Sequence, residues 1–121
     1  MKLMIVEDHA MVRRKISELL ARTDVEMHEC ATGEEAMGSA QDFQPDWIIM
    51  DVNLPGINGF EAIEAIRKEL PSVRVIIISA EDRDYLREEA RAVGAERFLS
   101  KHHLAKLPGM LWVESPQSPV P

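Results

Sequence analysis

Three carboxylates, a hydroxyl and an ammonium stand at the ends of short apolar runs. Glu7 and Asp8 follow KLMIV, Asp51 follows DWIIM, Ser79 ends VIIIS, and Lys101 comes directly after RFLS. Taken singly, each has an ordinary role: helix capping for Glu7, Asp8 and Ser79, an Asx turn before LPGING for Asp51, a solvated side chain for Lys101. Gathered in one place they are not ordinary, because three carboxylates crowded together repel one another by several kcal/mol at an effective dielectric of about 20. One lysine offsets only part of that charge. A hard divalent cation with oxygen ligands is the simple remedy, and Mg2+ is the usual choice where phosphate also binds. The chemistry implied is a metal-assisted phosphoryl site, provided that the backbone brings the five residues together.

The pattern of the chain supplies such a backbone. KLMIV (Lys2 to Val6), DWIIM (Asp46 to Met50) and VRVIII (Val73 to Ile78) are short and rich in large aliphatic residues, which marks strands buried on both faces. VEMHEC from Val25 and AERFL from Ala95 are more mixed and suit strands nearer the edge. Between them, Val12, Ile16, Leu19 and Leu20 keep helical spacing, as do Phe60, Ile63, Ile66 and Leu70. Thr32 with Glu35 and Asn58 with Glu61 read as capping boxes, Pro45 and Pro71 punctuate returns to strands, and Gly94 marks the end of a fourth helix. Five strand-helix units require an open, doubly wound α/β sheet of five parallel strands with helices on both faces. In the flavodoxin-like form, strand order 2-1-3-4-5, the first, third and fourth strands are neighbours, and ligands bind outside their carboxyl ends. All five polar residues then fall on one rim.

Composition narrows the classes. The chain has 121 residues, 45% hydrophobic and 29% charged, which is the balance of one compact soluble domain. Fourteen basic against 21 acidic residues give a net charge of -7, so direct nucleic-acid binding by this chain is not expected. MKLMIVEDHA has too few apolar residues for a signal peptide or a membrane span, which makes the cytoplasm the expected compartment. Cys30 is the only cysteine and can form no internal disulfide, and no Cys/His group has zinc spacing; His102 and His103 read as solvated surface.

Over roughly residues 1–107 these motifs resemble the response regulator receiver domain: the acidic pair Glu7 and Asp8, Asp51 leading into DVNLPGINGFE, Ser79 followed by the small Ala80, the aromatic Phe98, and Lys101 three residues on. The resemblance implies that Asp51 takes a phosphoryl group from a phosphohistidine. It implies that Asp8, Asp51 and the carbonyl of Asn53 bind Mg2+ with help from Glu7, that Lys101, Ser79 and the Ala80 N–H hold phosphoryl oxygens, and that Ser79 and Phe98 form a conformational switch. The partners implied are a sensor histidine kinase or histidine phosphotransfer protein, and a downstream effector or an output domain outside this chain. Transfer and loss of the phosphoryl group would be self-catalysed, without conventional multiple turnover.

The sequence departs from the family pattern in three places. His102 follows Lys101 where many receivers have a cis proline; a cis bond before a non-proline costs about 2.5–4 kcal/mol, so a trans link is expected. HLAKLPGMLWVE is interrupted by Pro108 and Gly109, and an interior proline costs a helix about 3 kcal/mol, so the fifth helix should be atypical or shortened. Residues 108–121, ending in SPQSPVP, read as a tail or linker, which makes the chain a stand-alone receiver or part of a longer regulator. Two other readings compete. A haloacid-dehalogenase-like phosphatase would need Asp-x-Asp where this chain has VEDH. A non-phosphorylated pseudo-receiver acting as a protein-binding module fits the fold, but such proteins commonly lose the acidic pair, the Asp or the Lys, and all are retained here.

Overall fold

The computed structural model describes residues 1–112. Strands β1 (Lys2–Val6), β2 (Glu26–Cys30), β3 (Trp47–Asp51), β4 (Arg74–Ser79) and β5 (Arg97–Ser100) alternate with helices α1 (Ala10–Leu20), α2 (Gly33–Phe43), α3 (Gly59–Glu69) and α4 (Asp84–Ala92). A 3-10 segment, Lys101–Lys106, and a short α5, Leu107–Leu111, follow β5. All strand pairs are parallel, as the alternation of aliphatic runs and helical periods predicts, and the order is β2-β1-β3-β4-β5, that of the flavodoxin-like form.

The strands bury both faces because residues alternate across the sheet. Met4, Val6, Ile48, Met50, Val75 and Ile77 face α2, α3 and α4, where Ala36, Ala40, Ala62, Ile63, Ile66, Leu86 and Ala90 close one core layer. Leu3, Ile5, Ile49, Ile76 and Ile78 face the other way, onto Ile16 and Leu20 of α1 and Leu104, Leu107 and Leu111 near the chain's end. Register carries this core to the rim at the carboxyl ends of the strands. Val6 lies opposite Met50, Asp51 opposite Ile78, and Ser79 opposite Ser100, so Glu7 and Asp51 come level and Lys101 sits one step beyond the β4–β5 pairing.

Local signals act where the sequence places them, with two refinements. Asn58 and Glu61 form a complete capping box, whereas Thr32 accepts the Glu35 N–H and Glu35 reaches back to the N–H of Ala31, one residue earlier than a box requires. Gly94, at φ +84°, lies just past the end of α4. The fifth helix is indeed short, but its break differs from the one expected at Pro108. The helical path fails at His103 (φ -127°, ψ 33°), while Pro108 sits in the first turn of α5, where its missing N–H breaks no helical bond. Leu107 and Leu111 are both buried, and the Arg22 guanidinium stacks on Trp112 at 4.3 Å, so packing continues past residue 107. The SPQSPVP segment lies outside the described residues. Among the described residues no peptide bond is cis, in keeping with a trans Lys101–His102 link, and no helix is long and apolar enough to cross a membrane.

Candidate functional site

Glu7 continues β1 as its backbone N–H donates to the Cys30 carbonyl at 3.0 Å. That pairing draws the side chain inward until it is fully buried, and its Oε2 accepts the His9 N–H at 3.1 Å. Asp8, one residue on, faces outward and is exposed. Asp51 ends the central strand with only 1% of its surface exposed, its Oδ1 accepting the Asn53 N–H at 3.4 Å. Asn53 itself is exposed at the rim. Oxygen atoms of Glu7, Asp8 and Asp51 lie within 4.8 Å of one another.

Lys101 supplies the one cation among these groups. Its Nζ is 2.9 Å from Glu7 Oε1 and 3.1 Å from Asp51 Oδ2, with 17% of the side chain exposed. Those two buried oxygens have close ion-pair contacts with the ammonium but no well-directed hydrogen bond. Burial first, then the Glu7 carboxylate, push the Asp51 pKa from 3.8 up to about 6, against the pull of Lys101 and the Asn53 N–H. Burial opposes the Lys101 charge, yet its contacts with Glu7 and Asp51 outweigh this and hold its pKa above the ordinary lysine value. Buried, under-satisfied carboxylate oxygens beside an exposed third carboxylate are a donor set that fits a hard divalent cation.

Ser79 is fully buried and its hydroxyl faces its own loop, accepting the Glu81 N–H at 3.0 Å; Ala80 beside it is exposed. Phe98 is half-buried against the layer formed with Leu86 and Ala90, and the Arg87 guanidinium lies over its ring at 4.9 Å. Asp82 grips Arg87 through bonds of 2.7 and 2.9 Å. Glu7, Asp8, Asp51 and Lys101 therefore converge directly, while Ser79 and Phe98 stand on neighbouring strands, each held by the β4–α4 region. A cavity of about 610 Å3 opens elsewhere, at the amino-terminal end of the strands beside Trp47 and Arg74, away from the acidic group.

Two contributors escape sequence reasoning. Gly59 starts α3 with its Cα facing the Asp51 carbonyl so closely that an added Cβ would collide with that oxygen. Arg13 looks like part of a solvated RRK run, yet its Nη1 donates to the Glu7 carbonyl at 2.7 Å. The available signal was weak: a basic residue in the first turns of α1, with no acidic side chain there to favour the helix dipole.

Comparison with known proteins agrees with this geometry. The chain is 33% identical over 102 residues to the DNA-binding transcriptional activator EvgA of Escherichia coli K12, covering 84% of this chain and 50% of that protein. It is 36% identical over 109 residues to the response regulator protein VraR of Staphylococcus aureus, covering 87% and 51%. The chain thus spans about half the length of these curated relatives. The structure of the chemotaxis protein CheY4 of Vibrio cholerae superposes with a TM-score of 0.83 at 31% identity, covering 91% of this chain and 94% of that one. The family model for the response regulator receiver domain matches residues 3–110, nearly the whole described fold, and the chain belongs to that family.

Proposed function

We propose that this receiver is a phosphoacceptor of two-component signalling, taking a phosphoryl group onto Asp51 from a histidine of a sensor kinase or phosphotransfer protein. The observation that carries the reading is Asp51 itself: a buried carboxylate held between Lys101 and Glu7, with Asp8 on its open side. A carboxylate oxygen of Asp51 attacks phosphorus, the phosphorus–nitrogen bond of the donor breaks with its electron pair going to the imidazole, and an acyl phosphate remains. With a pKa near 6, Asp51 is mainly ionised at neutral pH and available as the nucleophile.

Asp8, Asp51 and the Asn53 carbonyl would hold Mg2+, with Glu7 supporting from beneath. When bound, the cation offsets the negative charge that accumulates on the phosphoryl oxygens. Lys101 stands close enough to Asp51 to exchange its carboxylate contact for a phosphoryl oxygen. Ser79 would release the Glu81 N–H and turn its hydroxyl toward the same group, with the Ala80 N–H alongside, and Phe98 would move into the space that Ser79 leaves. The region matched by this chain is about half of EvgA and of VraR, and EvgA is named a DNA-binding transcriptional activator. By analogy the effector is an output domain or separate protein that reads the Phe98 side of the receiver, with the cytoplasm as its compartment.

Intact-protein mass spectrometry tests the reading. Acetyl phosphate with Mg2+ should add one phosphoryl group, and chelation or Asp51→Asn should prevent it. Wild-type protein that is folded and binds Mg2+, yet gains no phosphoryl group from acetyl phosphate or a phosphorylated kinase, would be a binding module instead.

A further inference from the structure

Arg13 breaks a local rule of helix electrostatics, and its contacts indicate why. Its neighbours Arg14 and Lys15 are exposed, and Arg14 pairs with Glu18 across one turn of α1 at 3.5 Å. Arg13 turns inward instead, with 22% of its side chain exposed. One arm of the guanidinium donates to the Glu7 carbonyl at 2.7 Å, a short bond for this pair of groups. Its Nε meets Glu29 Oε1 on β2 at 3.2 Å, which fixes the direction of the first arm.

The carbonyl that Arg13 grips belongs to the peptide joining Glu7 to Asp8. Because a peptide is planar, holding its oxygen fixes the orientation from which the Asp8 backbone departs. On the other side of the same residue, the Glu7 N–H is held by the Cys30 carbonyl of β2. The Asp8 carboxylate makes no hydrogen bond or ion pair among the described residues, so its placement depends on this backbone grip and not on side-chain contacts of its own.

We propose that Arg13 is a positioning residue for cation binding: by holding the Glu7–Asp8 peptide it sets where Asp8 presents its carboxylate to the site. The assignment rests on the metal-assisted reading above. It makes a claim opposite in sign to simple electrostatics. A guanidinium beside an acidic cluster repels an incoming cation, so charge alone says that removing Arg13 tightens Mg2+ binding. Positioning says that removal weakens it. Lysine keeps the charge but lacks the planar fork that reaches Glu7 and Glu29 together, so positioning also says that lysine cannot substitute.

Isothermal titration of Mg2+ into the 121-residue chain decides the matter, with circular dichroism in chelator to establish that each variant is folded. Arg13→Lys and Arg13→Gln should each raise the Mg2+ dissociation constant about tenfold, the scale of losses when a partner of a metal ligand is removed. The Mg2+ concentration for half-maximal labelling by acetyl phosphate should shift by the same factor. Arg13→Lys, which retains charge and stem, serves as the deciding variant where Arg13→Gln does not fold. Wild-type affinity in Arg13→Lys, or tighter binding in Arg13→Gln, overturns the assignment. Absence of Mg2+ binding by the wild-type chain overturns the metal-assisted reading itself and is thereby told apart from failure of the Arg13 assignment.

Discussion

The charged form of Asp51 is disfavoured by folding, through burial and the neighbouring Glu7 carboxylate, which raise its pKa from 3.8 to about 6. The favourable contribution is present below the unfolded value and is lost as pH rises through the folded one. In chelator, Asp51→Asn should therefore be more stable than wild type at pH 7.5 by about 2–3 kcal/mol, the difference shrinking toward zero near pH 4. Urea melts at the two pH values measure it, and an equal difference at both would remove burial and Glu7 repulsion as the cause. Lys101 has the complementary role. Lys101→Ala leaves Glu7 and Asp51 facing each other without a cation, and should cost the chelated protein about 3 kcal/mol, as breaking a buried pair does. Saturating Mg2+ should recover part of that loss. Mg2+ that stabilises wild type but leaves Lys101→Ala as unstable as in chelator would overturn that expectation. The acidic pair, Asp51 and Lys101 were legible because residue types alone mark them once strand ends are known. Arg13 was not, because the direction of a long side chain depends on partners such as Glu29 on another strand.

At the level of elements, the junction of β3 and α3 ties Asp51 to the core. Asn58 and Glu61 cap α3, and Gly59 lets the first turn approach the Asp51 carbonyl. Losing the cap through Asn58→Ala should cost about 1 kcal/mol. Gly59→Ala should cost more, about 2–3 kcal/mol, because the methyl group must push the strand end from the helix. It should also lower acetyl phosphate labelling, which Asn58→Ala should not. Equal stability losses with equal labelling would mean that the contact at Asp51 is relaxed without consequence. The central strands were read from sequence because uninterrupted aliphatic runs have few other uses. The edge strands β2 and β5 gave weaker signals, since they are buried unevenly: Glu26 and Glu29 of β2 and Arg97 of β5 are exposed. The break in the last helix was misplaced for a different reason. Proline advertises a break, but at Pro108 it opens a helix, whereas the irregular backbone at His103 has no comparable marker.

For the molecule as a whole, the sheet order determines how an event at Asp51 can travel. Asp51 pairs with β4 at Ile78, and the next residue, Ser79, holds the Glu81 N–H; β4 pairs in turn with β5, which carries Phe98 under Arg87. On the other side, β1 ends at Val6 and β2 at Cys30, and the nearest hydroxyl, that of Thr32, is engaged in capping α2. The response should therefore be lopsided. Trp47 is a poor reporter of it, because that residue opens β3 at the far end from Asp51, beneath the Arg74 guanidinium at 4.3 Å. Hydrogen exchange read by mass spectrometry is better suited. After labelling with acetyl phosphate and Mg2+, peptides spanning Glu81 should exchange faster as Ser79 lets go of that N–H, and peptides spanning Phe98 should change with them. Peptides from β2 and α2 should keep their rates. Wild-type protein given Mg2+ without acetyl phosphate should show none of these changes, which separates phosphorylation from cation binding. A uniform change across both halves of the sheet, or an unchanged Glu81 region in fully labelled protein, would sink the Ser79–Phe98 route.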